Sequence, residues 1–311
     1  MIAVVPALAL MLSGGPMSDS STTLADFDAK WNYDDPAGTE KEFRALLPAA
    51  RASGNHDYLA QLLTQIARTE GLQRRFDDAE RTLADAESLI TPEMGVARVR
   101  LLLERGRMLN SSKRRDESKP LFLDAWNLAR EVHADGFAVD AAHMLGIVEP
   151  GDSSVTWNER AMALAESSSD PKARTWLGSL YNNLGWTYHD MGRYDTALDL
   201  FHKALAEREK AGKKEDIRVA RWCIARCLRS LGKVDEALKM QRALYDEFQA
   251  EGGMDGYVVE EIGECLLLKH EDAEAKPFFA RAYEELSKDP WLRDSEAARL
   301  ERLGRLGGVL K

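Results

Sequence analysis

Residues 178–211 read GSLYNNLGWTYHDMGRYDTALDLFHKALAEREKA. Leu180, Tyr181, Leu184, Tyr188 and Met191 recur at spacings of one, three or four, the period of one helical face. Gly185 falls inside that helix, where glycine costs about 1 kcal/mol relative to alanine. A glycine there is expected where another backbone approaches closely. Gly192 permits the left-handed conformation that ends a helix. Tyr194 opens a second helix, and Asp195 places negative charge near its positive N-terminal end. Ala197, Phe201, Ala204 and Leu205 form the apolar stripe of that helix. Neither helix buries its apolar face alone, so the hairpin needs neighbours.

The same outline recurs on both sides. Gly192 to Gly232 and Ala197 to Ala237 are each forty residues apart. Phe76-Asp77-Asp78-Ala79 repeats the pattern of Tyr194-Asp195-Thr196-Ala197. Further units are read over 57–90, 95–133, 135–168 and 254–288. Met191 is expected on a buried stripe. Gly71 is expected to end the first helix of the 57–90 unit. Pro48 is expected to kink or split the helix that starts near Thr39. Pro120 is expected within the first turn of its helix, and Pro150-Gly151-Asp152 to cut short the helix before it. Residues 293–307 read as a polar terminal helix. Trp126 and Trp157 are placed on outer faces, as core packing or a dimer contact.

Tyr181, Leu184, Gly185, Tyr188, Ala197, Phe201 and Ala204 stand at the spacing of a known signature, and the stretch resembles a tetratricopeptide repeat. The usual final proline is missing; Glu209 stands near its place. The resemblance extends over about residues 57–290 and is faintest around 139–166. It implies an all-α fold, a right-handed superhelical solenoid of antiparallel helix pairs, with about six hairpins plus capping helices. Residues 39–311 then form a single domain, preceded by a flexible segment over 1–38, in which Phe27, Trp31 and Tyr33, among Asp26, Asp28, Asp34 and Asp35, are expected to pack on the first helices or to serve as a binding motif. In this family the first helix of each pair lines a concave face that holds an extended peptide or a partner's helix.

The remaining composition narrows the chemistry. The formal net charge is −10, which disfavours nucleic acid and anionic membranes as partners. The cysteines are Cys223, Cys227 and Cys265, an odd and sparse set that suits a reducing compartment rather than a disulfide framework. Cys223 and Cys227 lie one helical turn apart, so a metal or redox pair is weighed against two small packing side chains; no second Cys or His pair completes a zinc site. The six histidines make no metal spacing, and no phosphate-cradling loop or nucleophile elbow is present. No cofactor is expected. Met1 to Leu12 is apolar but too short to span a bilayer as a helix. Residues 1–16 are therefore read either as a signal peptide or as a start assigned too early, giving an exported or a cytoplasmic protein.

Side chains on the first helices that packing does not require are candidates for binding: Arg68, Arg100, Arg107, His143, Asn182, Trp186, His189, Arg226 and Arg229, with Glu264 beside them. Arginine offers a planar fork for carboxylates, so an acidic or carboxylate-bearing peptide is one expected partner; pairing with the solenoid's own acids is the other reading. Some members of the family grip a carboxylate through Lys and Asn, but Trp186 stands where the next Asn would be, so that clamp is not carried over. The expected function is a non-enzymatic interaction scaffold or adaptor binding a peptide or partner segment in the groove. The alternatives are a regulatory sensor of a short signalling peptide and an enzyme with a site assembled between helices.

Overall fold

The computed structural model describes residues 24–310. The two readings of residues 1–16 lie outside the described residues. Among the described residues there are helices and turns but no strand. Helix α1 (Pro36–Ala52) precedes three hairpins: α2 (His56–Leu72) with α3 (Phe76–Leu89), α4 (Gly95–Ser111) with α5 (Arg115–Glu131), and α6 (Asp135–Val148) with α7 (Gly151–Ser167). A single turn, α8 (Pro171–Arg174), leads to three more: α9 (Leu177–Asp190) with α10 (Tyr194–Ala211), α11 (Lys214–Ser230) with α12 (Val234–Ala250), and α13 (Gly256–Leu268) with α14 (Asp272–Leu286). Short α15 (Pro290–Ser295) and α16 (Ala297–Leu306) close the stack against α14. The chain is an all-α solenoid of antiparallel helix pairs.

The glycine inside first helices α4, α9 and α13 has a steric reason. A Cβ on Gly185 would stand 2.7 Å from the Phe201 ring, one on Gly106 2.6 Å from Phe122, and one on Gly263 3.0 Å from Phe279. Each phenylalanine is almost wholly buried between the two helices of its own hairpin. Glycine thus trades helix propensity for a ring seated on bare backbone. Three hairpins depart from this pairing, the first of them with Leu83 of α3 in the ring's place. Asn158 faces Gly146, and buried Gln241 takes the position forty residues after Phe201.

Several local expectations are corrected. Helix α1 runs unbroken through Pro48, and Pro120 lies beyond the first turn of α5. Both prolines are exposed, so the carbonyl each leaves unbonded faces water. Helix α2 continues past Gly71 to Leu72, and the left-handed residue that ends it is Arg74. Lys113, His133 and His270 likewise take the conformation that Gly192 and Gly232 supply elsewhere. Met191 lies beyond α9 and is exposed. The terminal stretch is two helices rather than one, and α16 buries Leu300 and Leu303 instead of being polar throughout. Trp126 and Trp157 pack edge to face at 5.6 Å. At the other end, residues 24–35 are not separate from the solenoid: Phe27 is buried against Phe43 and Tyr58.

Candidate functional site: the inner groove

The first helices touch one another along the stack: α2 on α4, α4 on α6, α9 on α11 and α11 on α13. Second helices meet only through side chains, as Trp126 of α5 and Trp157 of α7 do, while their backbones stand farther apart. A layer whose members touch while the other layer splays lies inside the curve, so these first helices line the concave face. Its two ends differ in chemistry.

In the N-terminal half the groove is filled by the chain itself. Residues 26–33 cross α2 and α4 and reach α8. The Trp31 indole N–H donates to Gln65 Oε1 at 3.0 Å. Tyr33 stacks on Trp31 at 4.6 Å and 6° between planes, and the Arg68 guanidinium lies 5.7 and 5.4 Å from the two rings. Asp28 pairs with Arg100, and Lys172 Nζ lies 3.6 Å from the same carboxylate. Arg100 is 5% exposed and sits between the Phe27 and Phe137 rings at 5.3 and 4.7 Å. A cavity of about 560 Å³ surrounds this crossing, with Asp140, Gly136 and Trp176 on its far wall.

The C-terminal half is lined by aromatic rings. Trp186 rests on Phe201 at 5.1 Å and on Trp222 at 5.8 Å, and Trp222 meets Tyr257 at 6.1 Å. The row descends from the second half of α9, through the middle of α11, to the first turn of α13. Tyr257 is 37% exposed. The Trp222 indole nitrogen is buried with no hydrogen-bond partner among the described residues. Beside it, Val219, Trp222, Phe248, Tyr257 and Val258 wall a mostly apolar cavity of about 260 Å³, which Glu215, Arg218 and Asp255 also line.

The arginines expected on this face are all present, but as rivets between hairpins rather than as an open cationic lining. Arg68 Nη1 donates to Glu104 at 3.1 Å, Arg107 Nη1 to the same acid at 2.8 Å, and Arg107 also pairs with Asp140 on α6. Burial works against the Arg107 charge, but Asp140 and Glu104 outweigh it and hold its pKa above the ordinary value. Arg226 Nε lies 3.0 Å from Glu261, which Arg229 grips with two bonds of 2.7 and 3.0 Å. Glu264 accepts from Arg302 of α16 at 3.1 Å.

The remaining candidates are also engaged. His143 is half-buried against Trp176 at 5.4 Å, and burial lowers its pKa. His189 is buried, with Nε2 2.9 Å from Ser230 Oγ; burial lowers its pKa and Arg226 adds to the effect. Asn182 Oδ1 accepts from the Cys223 thiol at 3.3 Å, while Trp186 belongs to the aromatic row.

The sequence reading missed Asp28, Gln65, Lys172, Trp222 and Tyr257 as groove residues. A half-signal was present: Phe27, Trp31 and Tyr33 among four aspartates are too apolar for an idle leader. All three cysteines are buried and free, with burial pushing the Cys223 and Cys227 thiols to about 11 and Cys265 to about 12. Among the described residues, no group of three or more His, Cys, Asp or Glu side chains is placed to hold a metal ion, and no helix is long and apolar enough to cross a membrane.

The tetratricopeptide repeat profile matches residues 177–211. No curated protein matches the sequence. Among solved structures, the apo form of RapI is similar over 91% of this chain and 82% of that one, with a TM-score of 0.67 at 12% identity. A Rap protein complexed with competence and sporulation factor is similar over 90% and 81%, with a TM-score of 0.56 at 14% identity. A signal transduction ATPase with numerous domains and a tetratricopeptide repeat sensor, from Pyrococcus horikoshii, matches 87% of this chain but 42% of its own length, with a TM-score of 0.68 at 13% identity. At such identities the likeness is one of fold. Residues 177–211 thus form a tetratricopeptide repeat, written most plainly there, within a stack of hairpins that share its fold.

Proposed function

We propose that this protein is a non-enzymatic interaction module that holds a peptide or an extended partner segment along its concave face. The observation that carries the reading is the row Trp186–Trp222–Tyr257 beside an apolar cavity, with an indole N–H left without an acceptor. Large aromatic surface beside an apolar cavity suits a segment that contributes an apolar side chain. The buried thiols with raised pKa support a non-catalytic role for the cysteines and suit a reducing, cytoplasmic setting. A second reading, a sensor of a short signalling peptide, is favoured by the shape shared with the Rap protein bound to competence and sporulation factor.

Selection of a random-peptide display library on the full chain tests the proposal. Peptides with an apolar anchor should be enriched, and Trp222→Ala or Tyr257→Ala should each weaken them about tenfold, the loss of one hot-spot contact. No enrichment, or enrichment indifferent to both substitutions, overturns it.

A further inference from the structure

The N-terminal crossing is more than a cap on the first hairpins. It is gripped by polar groups that read particular atoms: Gln65 reads the Trp31 indole N–H, Arg100 and Lys172 read the Asp28 carboxylate, and Arg68 covers the Trp31–Tyr33 stack. These groups come from two successive first helices, α2 and α4, and from the turn α8, so the crossing spans more than one hairpin as a bound segment would. Tyr33 remains 59% exposed, although it lies on the stack.

Arg100 explains why the groove is never simply empty. It is 5% exposed and its one carboxylate partner among the described residues is Asp28. Withdrawal of residues 26–33 would leave a guanidinium buried between aromatic rings without a counter-ion, an expensive state. Whatever replaces the crossing must therefore bring a carboxylate to the same place.

Resting on the reading that the concave face holds partner segments, we propose that residues 26–33 are a ligand of the groove held in cis. The N-terminal half of the groove is then a receptor for partner segments of the same chemistry, a carboxylate followed three residues on by tryptophan and then by a second aromatic. The cis segment competes at the high effective concentration of a short tether, so only a segment with this pattern displaces it. Of the arginines suspected from sequence of receiving an acidic peptide, Arg100 takes its acid from this segment, whereas Arg68, Arg107, Arg226 and Arg229 pair with acids of the solenoid helices.

The test uses the full chain and a fluorescent synthetic peptide spanning residues 24–36. Asp28→Ala/Trp31→Ala loosens the cis segment and should bind the peptide at least about tenfold more tightly than wild type, because the tethered competitor is gone. Adding Arg100→Glu should abolish that binding, and a peptide carrying Asp28→Arg should restore it. If the double variant loses helical circular dichroism, Asp28→Asn/Trp31→Phe keeps the packing and carries the same comparison. A folded, loosened variant that binds the peptide no better than wild type overturns the inference. So does a wild-type dimer joined by exchanged N-terminal segments, which would make the contact one between copies. Display-selected peptides that need Tyr257 but ignore every change at Asp28, Trp31 and Arg100, with no trans binding, would leave the proposed function standing and sink this inference alone.

Discussion

The two halves of the groove are built on the same helix pairs, yet one is closed by charge and the other left lined with rings. At the N-terminal end, Arg68, Arg100 and Arg107 each meet an acid, and residues 26–33 lie across Arg68 and Arg100. At the C-terminal end, Arg226 and Arg229 spend their charge on Glu261, and the surface is handed to Trp186, Trp222 and Tyr257. The difference teaches that an arginine on a first helix is no guide to ligand charge until its partner one repeat away is known. Ion pairs between hairpins set the register of the stack, while the partly exposed rings are the surface on which the proposed function rests.

Substitutions in each half break this contrast to different degrees. Phe201→Ala should cost about 3–5 kcal/mol in urea unfolding, because it opens a cavity against Gly185 and removes the floor under Trp186. Peptides held by the aromatic row should be lost with it; retention of both stability and binding would refute the packing account. Arg100→Ala should cost about 2 kcal/mol, as a charged hydrogen bond disappears. Its effect belongs to the N-terminal half, so binding at Tyr257 should not change.

Gln241→Leu should act in the opposite sense. Gln241 is wholly buried and neither amide atom has a partner among the described residues. Removing that unpaired amide should raise stability by about 1 kcal/mol. An unchanged or lower urea midpoint would mean that a hydrogen-bond partner had been missed.

The smallest expected effect compares one histidine from each half. His143 and His189 are both held below the ordinary pKa, in each case first by burial. The unfolded chain therefore binds protons that the folded chain refuses, and stability is full above the ordinary histidine pKa of about 6.5 and falls as pH drops below it. His143→Asn and His189→Asn should each flatten the decline in urea midpoint between neutral and mildly acidic pH. A slope unchanged in both variants would show that other groups govern it.

Much of the fold was legible because helical packing is periodic. Gly185, Ala197, Phe201 and Ala204 report close approach and burial within a single hairpin, a few helical turns apart. The exceptions were local trades: exposed Pro48 and Pro120 tolerated inside helices, and Arg74 or His133 taking a turn that glycine usually takes. The groove was far less legible. Arg100 and Asp28 are 72 residues apart, and the bond from Arg107 to Asp140 spans 33. Unequal repeat lengths hide such pairs, since no fixed offset finds them. Trp222 was harder to find, because periodicity names a face without saying whether the next hairpin covers it.

Apolar residues every third or fourth position, with glycine opposite phenylalanine, are enough to specify stacked α-hairpins, because helix and stripe form from neighbours in the chain. Which arginines are already neutralised, which rings stay uncovered, and that residues 26–33 enter the groove depend on the register and curvature of separate hairpins. Those are set by contacts between side chains many turns apart, and they take form when the stack closes.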